Sequence, residues 1–214
     1  MTDYQERADR TADFVAARVS ALQAQYQKNV ASAVSALARL RRGIGREPGA
    51  DLELLGLALQ LPPSQKDQAD SLYDLLDLRG DEIAPEERAA FDAITLFALH
   101  QQSRRDAPMH RRGYSFGRSS RLLGTDDAVR RRFTALGTAS TREETLRHAR
   151  GLIQQFRQKR IPLDYGAFAR DLLDLHGPFA DRVRARWGRD YFRVHHPDDD
   201  AADTDDATTT TPED

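Results

Sequence analysis

Apolar residues recur along this chain at spacings of three and four. Alanine, leucine, arginine and glutamine dominate, and the β-branched residues that strands favour are sparse. The pattern predicts an all-α protein. A first helix covers about Asp3 to Gln27, with Phe14, Val15, Arg18, Val19 and Leu22 on its inner side. A second starts near Asn29 and keeps Val30, Val34, Leu37 and Ile44 on one face until Gly43, Gly45, Pro48 and Gly49 stop it.

Residues 51–61 read as a short leucine-rich helix ended by Pro62 and Pro63. Residues 64–84 are polar and acidic, a surface excursion with one short helical run at 71–78. Pro85, Glu86 and Glu87 form a helix first turn, proline at its tolerated position and acids at the positive dipole end. From there to about Arg105 the chain is apolar on most sides between Ala89 and Leu99, which predicts the central buried helix. Residues 106–113 read as a linker, and a second helical set follows. Its members run from Ser115 to Leu123, from Asp126 with Val129, Phe133 and Leu136 inward, from the capping-box spacing at Thr141 to Glu144, from Asp164 to Leu175, and from Pro178 to about Val194. Residues 198–214 hold aspartate, glutamate, alanine, threonine and one proline, with no large apolar side chain, and the composition predicts disorder.

Charge changes the picture. The formal net charge of −2 hides segregation: residues 198–214 carry eight acids and no base, leaving 32 bases against 26 acids in residues 1–197. Residues 51–92 have a net charge of −8 and residues 93–197 one of +11. A basic excess in one half is an electrostatic footprint for a polyanion. Arginine supplies 29 of the 32 bases, which fits either a GC-rich genome or a preference for the fork that grips phosphate. Cysteine is absent, which removes disulfides and cysteine-based zinc sites. The polar start, MTDYQERADR, lacks a signal-peptide core, and the run from Ala89 to Leu99 is too short to cross a bilayer, so a cytoplasmic protein without a membrane partner is expected.

No motif points to catalysis. The glycines at 43, 45 and 49 lack the spacing of a dinucleotide fingerprint or a P-loop and no strand precedes them, so a helix end is the reading. The six histidines gather at no metal-ligand spacing, and neither HExxH nor a serine nucleophile elbow is present. No cofactor, metal or small-molecule substrate is expected. Arginine clusters carry the signal: nine arginines fall between Arg104 and Arg132 against three aspartates. Arg147, Arg150 and Arg157 share one stripe of their helix, extended by Lys159 and Arg160, and Arg182, Arg186, Arg189 and Arg193 share another. Such clusters follow a phosphate backbone without reading bases.

Four stretches in order, ALARLRRGIGREPG (36–49), LFALHQQS (96–103), the SFGRSSRLLG to VRRRFTALGTAS region (115–140), and PLDYGAFARDLLDL with VRARWGRDYFR (162–193), resemble the CasB family. That family is the small subunit of the type I-E CRISPR surveillance complex, Cascade. The resemblance implies two small helical bundles packed together, here 1–110 and 111–197, without enzymatic activity. It implies a pair of copies beside the other Cascade subunits, helping to hold the crRNA–target DNA heteroduplex and the displaced strand. Cleavage would belong to a separately recruited helicase-nuclease.

Two readings of function stand. One is a clamp on the nucleic-acid backbone through Arg39, Arg41, Arg42 and Arg46, then Arg111, Arg112, Arg118, Arg121, Arg130, Arg131 and Arg132, with Arg157, Lys159 and Arg160. The other is a structural adaptor whose arginines meet acidic protein surfaces. His100 and Gln101 are expected to order the junction between the bundles.

Overall fold

The computed structural model describes residues 2–61 and 71–193. Among them the backbone forms ten α-helices and no strand, with two isolated bridges joining Gln60 to Ser71 and His110 to Leu163. The helices are α1 (Thr2–Gln27), α2 (Ala31–Leu40), α3 (Leu52–Leu59), α4 (Leu72–Leu76), α5 (Pro85–Gln101), α6 (Phe116–Leu123), α7 (Asp127–Gly137), α8 (Arg142–Lys159), α9 (Tyr165–Leu175) and α10 (Ala180–Phe192). The all-α reading holds. The acidic tail, Pro62, Pro63 and residues 64–70 of the excursion lie outside the described residues. The rest of the excursion includes α4, whose cap Ser71 accepts at its hydroxyl from the Asp74 amide at 3.2 Å.

The fold is arranged around α5, buried without interruption from Ala89 to Gln101. Helices α1, α2, α3, α8 and α9 pack around it, and α9 also lies along α1. Side chains from both halves, Val15 and Phe97 with Phe156 and Phe168, therefore share one hydrophobic cluster. Away from α5, Phe116 sits 5.0 Å from Phe168 and 5.1 Å from Trp187, ring centre to ring centre, while Phe133 stacks on Tyr191 at 4.6 Å. Asp171 is buried beneath them, accepts from Trp187 Nε1 at 2.6 Å and pairs with Arg186.

Apolar periodicity predicts α5 to about Arg105, but the helix stops at Gln101. There the Gln101 side chain takes the linker backbone: its Oε1 accepts from the Met109 amide at 3.1 Å and its Nε2 donates to the Ala107 carbonyl at 3.2 Å. His100, fully buried, meets the Tyr165 hydroxyl through Nδ1 at 3.0 Å. Gln23 of α1 adds two bonds to the His110 backbone, its Oε1 accepting at 2.7 Å and its Nε2 donating at 3.2 Å. The linker is thereby fixed on both sides.

Helices α6 and α10 approach closely because Gly117 has no Cβ. A methyl there would stand 2.3 Å from the Trp187 carbonyl oxygen, so the α10 backbone itself would have to move. Gly117→Ala is expected to cost about 2 kcal/mol or more, lowering Tm by roughly 4–8 °C. Gly188→Ala on α10 meets nothing within 4 Å and should instead add about 0.5–1 kcal/mol. Thermal and denaturant unfolding of the two variants, compared with the parent, measure both.

Candidate nucleic-acid interface

Helix α2 closes into a 3-10 turn, Arg41–Gly43, in which Gly43 is buried. A Cβ on Gly43 would lie 3.1 Å from both Phe91 and Thr95, so this glycine lets the turn press on α5, while Gly45, at φ 78°, reverses the chain. The turn is fastened from the other half by Arg142, the first residue of α8. Its Nε donates to Asp92 Oδ2 at 2.7 Å and its Nη2 to Asp92 Oδ1 at 2.6 Å. The same guanidinium reaches Glu47 at 2.8 Å and the Arg46 carbonyl at 3.0 Å. Asp92 is 3% exposed, and burial pushes its carboxyl up to about 6 even though Arg142 pulls it down. The sequence shows Asp92 only as an interruption of an apolar run. A lone carboxylate on a buried helix requires a partner, and that was the available signal for Arg142.

The capping box at the start of α8 is half as expected. Thr141 Oγ1 accepts from the Glu144 amide at 3.2 Å, but the Glu144 carboxylate reaches one residue further back, to the Ser140 amide at 3.1 Å.

Between the turn, the start of α5, the first half of α8 and the end of α9 lies a groove of about 960 Å³. Ile44, Ala89, Leu146 and Leu172 line it, with Arg147 and Arg150 at its side. Both arginines are exposed and without an ion pair among the described residues. Helix α8 has 18 residues and so extends about 27 Å. The stripe carrying Arg147, Arg150 and Arg157 thus leads from the turn to the far end of α8.

A second group gathers there. Arg157 donates to Gln102 Oε1 at 2.8 Å and accepts at its carbonyl from Arg104 Nε at 3.0 Å. Arg160, left-handed at φ 58°, pairs with Asp106 at 2.9 Å, and Lys159 is exposed. The Leu163 amide donates to the Met109 carbonyl at 3.0 Å, which brings the linker arginines alongside. Arg111 and Arg118 place their guanidinium carbons 5.0 and 4.2 Å from the centre of the Tyr114 ring. Arg112 is exposed next to them. Arg132 joins from α7, donating to Gln155 Oε1 of α8 at 3.4 Å.

Other candidates have local duties. Arg39 pairs with Glu53 of α3. Arg121 donates to the Tyr191 carbonyl at 3.1 Å, and Arg130 pairs with Asp127 at 2.6 Å. Arg131, Arg42 and Arg46 are exposed and Arg41 half-buried, none with an ion pair among the described residues. Arg104 and Arg105 belong to the arginine-rich segment but were not among the candidates. Arg105 stands over Tyr26, its guanidinium carbon 5.4 Å from the ring centre. Burial lowers His100 to about 3 and also lowers His110, so both are neutral near pH 7. Among the described residues no three acids or histidines are placed to hold a metal ion, and no helix is long and apolar enough to cross a membrane.

Fold and surface together define an all-α scaffold that displays arginine along one long helix and at both its ends. Residues 36–192 match the model of the CRISPR-associated protein Cse2 family, and the chain belongs to that family. The resemblance read from the sequence holds. The crystal structure of CasB from Thermobifida fusca superposes with a TM-score of 0.72 at 35% identity, covering 86% of this chain and 98% of that one. A CRISPR-associated protein of the Cse2 family from Thermus thermophilus shares the fold at TM-score 0.57 and 22% identity, over 85% of this chain and 97% of its own. No curated protein sequence matches significantly.

Arg142→Ala strands the Asp92 charge and should cost about 3 kcal/mol near neutral pH, part of it restored by adding Asp92→Asn. The cost depends on pH. A carboxyl held above its unfolded value of 3.8 keeps a proton that the unfolded chain has released. Its contribution to stability is full below about pH 4 and is lost as pH rises through about 6. Without Arg142 the native Asp92 is pushed higher still, so the penalty should shrink between pH 8 and pH 5. Denaturant unfolding of parent and variants across that range is the measurement.

Proposed function

We propose that this protein is a non-catalytic nucleic-acid-binding subunit of Cascade that grips the phosphate backbone of the crRNA–target heteroduplex or of the displaced strand. The observation that carries this reading is the run of exposed arginines along α8, Arg147 and Arg150, between Arg42 and Arg46 at one end and Arg157, Lys159, Arg160, Arg111, Arg112 and Arg118 at the other. The acids of residues 51–92 do not neutralise this run, because those that pair do so elsewhere: Glu53 with Arg39, Glu86 with Arg7, Asp92 with Arg142. Membership of the Cse2 family supports the setting, with the other Cascade subunits and a second copy of this chain as protein partners. A strand lying on α8 would meet charge at both ends of a path of about 27 Å. No element placed there reads base edges, so affinity should be nearly independent of sequence. R-loop formation is a near-balanced exchange of duplexes, and backbone contacts suffice to tip it.

The test is the salt dependence of binding to single-stranded DNA and to an RNA–DNA heteroduplex. Replacing Arg111, Arg112, Arg147 and Arg150 by alanine should flatten the slope of log K against log salt by about 3, at roughly 0.7–0.9 per lost phosphate contact. A parent slope near zero, or a variant indistinguishable from the parent, overturns the clamp. The adaptor reading expects those substitutions to spare DNA binding and to abolish assembly with the partner subunits.

A further inference from the structure

The chain carries its own polyanion. Residues 198–214 hold eight acids, Asp198, Asp199, Asp200, Asp203, Asp205, Asp206, Glu213 and Asp214, and no base. The described chain ends at Arg193, just past α10, and that end stands against arginines. Tyr191 stacks on Phe133 of α7 at 4.6 Å, which places Arg130, one turn before Phe133, beside the root of the tail, with Arg131 exposed on the same helix. Arg121 donates to the Tyr191 carbonyl at 3.1 Å, and the Tyr191 hydroxyl feels the charges of Arg130 and Arg121, opposed by Asp126.

The pairs already present leave this patch open. Arg131 has no ion pair among the described residues. Arg130 holds Asp127 across one helical turn, both side chains more than half exposed, a pair of small worth in water. The 21 residues beyond Arg193 span up to about 70 Å when extended, more than twice the length of α8.

We infer that the acidic segment 198–214 folds back on the arginines of α7 and α6 and competes there with nucleic acid, acting as a tethered phosphate mimic. The inference rests on the backbone-clamp reading for its consequence and not for the contact itself. A tethered competitor acts at a local concentration in the millimolar range. It displaces isolated weak contacts from non-specific DNA and yields to the dense, fixed phosphates of an assembled target. Each carboxylate of such a chain must be ordered as it binds, whereas the phosphates of an assembled target are already held at fixed spacing, so the mimic is the weaker ligand.

Two measurements test this, one without nucleic acid. Because the chain has no cysteine, Thr134→Cys on α7 and Thr210→Cys in the tail give a clean dye pair. Energy transfer should be high at 0.1 M salt and fall towards 1 M, as the Debye length drops from about 10 Å to about 3 Å. Changing Asp198, Asp199, Asp200, Asp203, Asp205 and Asp206 to asparagine should give the low transfer already at 0.1 M. Transfer that ignores both salt and tail charge overturns the contact.

The second measurement compares the full chain with one lacking residues 198–214 for binding a thirty-nucleotide single-stranded DNA. Removal should strengthen binding on the order of tenfold at 0.1 M salt, with the two chains converging as salt rises. Unchanged or weaker binding overturns the competition. If neither chain bound the DNA, the clamp reading would fall while energy transfer still decided the tail contact.

Discussion

The structure depends on the burial of α5 on every side. A helix apolar all round cannot rest against one neighbour, so helices from both halves of the chain are drawn to it and their cores merge. That enclosure also buries Asp92, and a carboxylate there is tolerable only with a cation and further hydrogen bonds around it. Arg142 supplies the cation and, with the rest of its fork, takes Glu47 and the Arg46 carbonyl. One electrostatic requirement in the core therefore sets where the arginine-bearing turn stands relative to α8. Without that fork the turn would keep its apolar contacts to α5 but lose its registration against the α8 stripe.

The arginines divide by what they touch. Arg7, Arg18, Arg142, Arg170 and Arg186 hold carboxylates or carbonyls of distant segments and work as internal ties. Arg42, Arg46, Arg112, Arg131, Arg147 and Arg150 are exposed and have no ion pair among the described residues. The second set can meet a partner without breaking an internal tie. The segregation seen along the chain is therefore partly resolved inside the fold, where several acids of residues 51–92 meet cations of the first and second halves alike.

Much of the scaffold was legible in the sequence because periodicity and caps are local. The burial of α5 followed from its apolar run, interrupted only at Asp92 and Thr95, and the starts at Asp51, Ser115, Asp126, Thr141 and Asp164 carry side-chain caps as those residue types favour. What escaped was non-local. Arg142 looked like a surface residue of a capping box, and its partners lie 50 and 95 positions away. Arg39 and Arg121 looked like free charge, yet Glu53 and the Tyr191 carbonyl occupy them. The end of α5 at Gln101 escaped for the same reason, since the side chain that stops it binds backbone of the linker. A count of arginines in a window cannot tell a tie from a spare.

The preference for arginine over lysine bears on both sets. A GC-rich genome would explain the bias without reference to position, but the ties show a positional requirement. Arg142 satisfies Asp92 through two nitrogens while also reaching Glu47 and the Arg46 carbonyl, and Arg18 directs two nitrogens at the Leu57 carbonyl. An ammonium group is a single point with three donors and cannot hold that planar arrangement across so many acceptors. At the ties, then, arginine is dictated by geometry. At Arg147 and Arg150 the same fork is held by no ion pair among the described residues, and its advantage there exists only when an anion able to accept two parallel hydrogen bonds arrives. If composition alone had placed those residues, nothing would require them to lie in a line along α8 with the turn at one end and the linker at the other. Their order in space follows from helix periodicity and from the Arg142–Asp92 tie, so the same interaction that satisfies the core also aligns the surface.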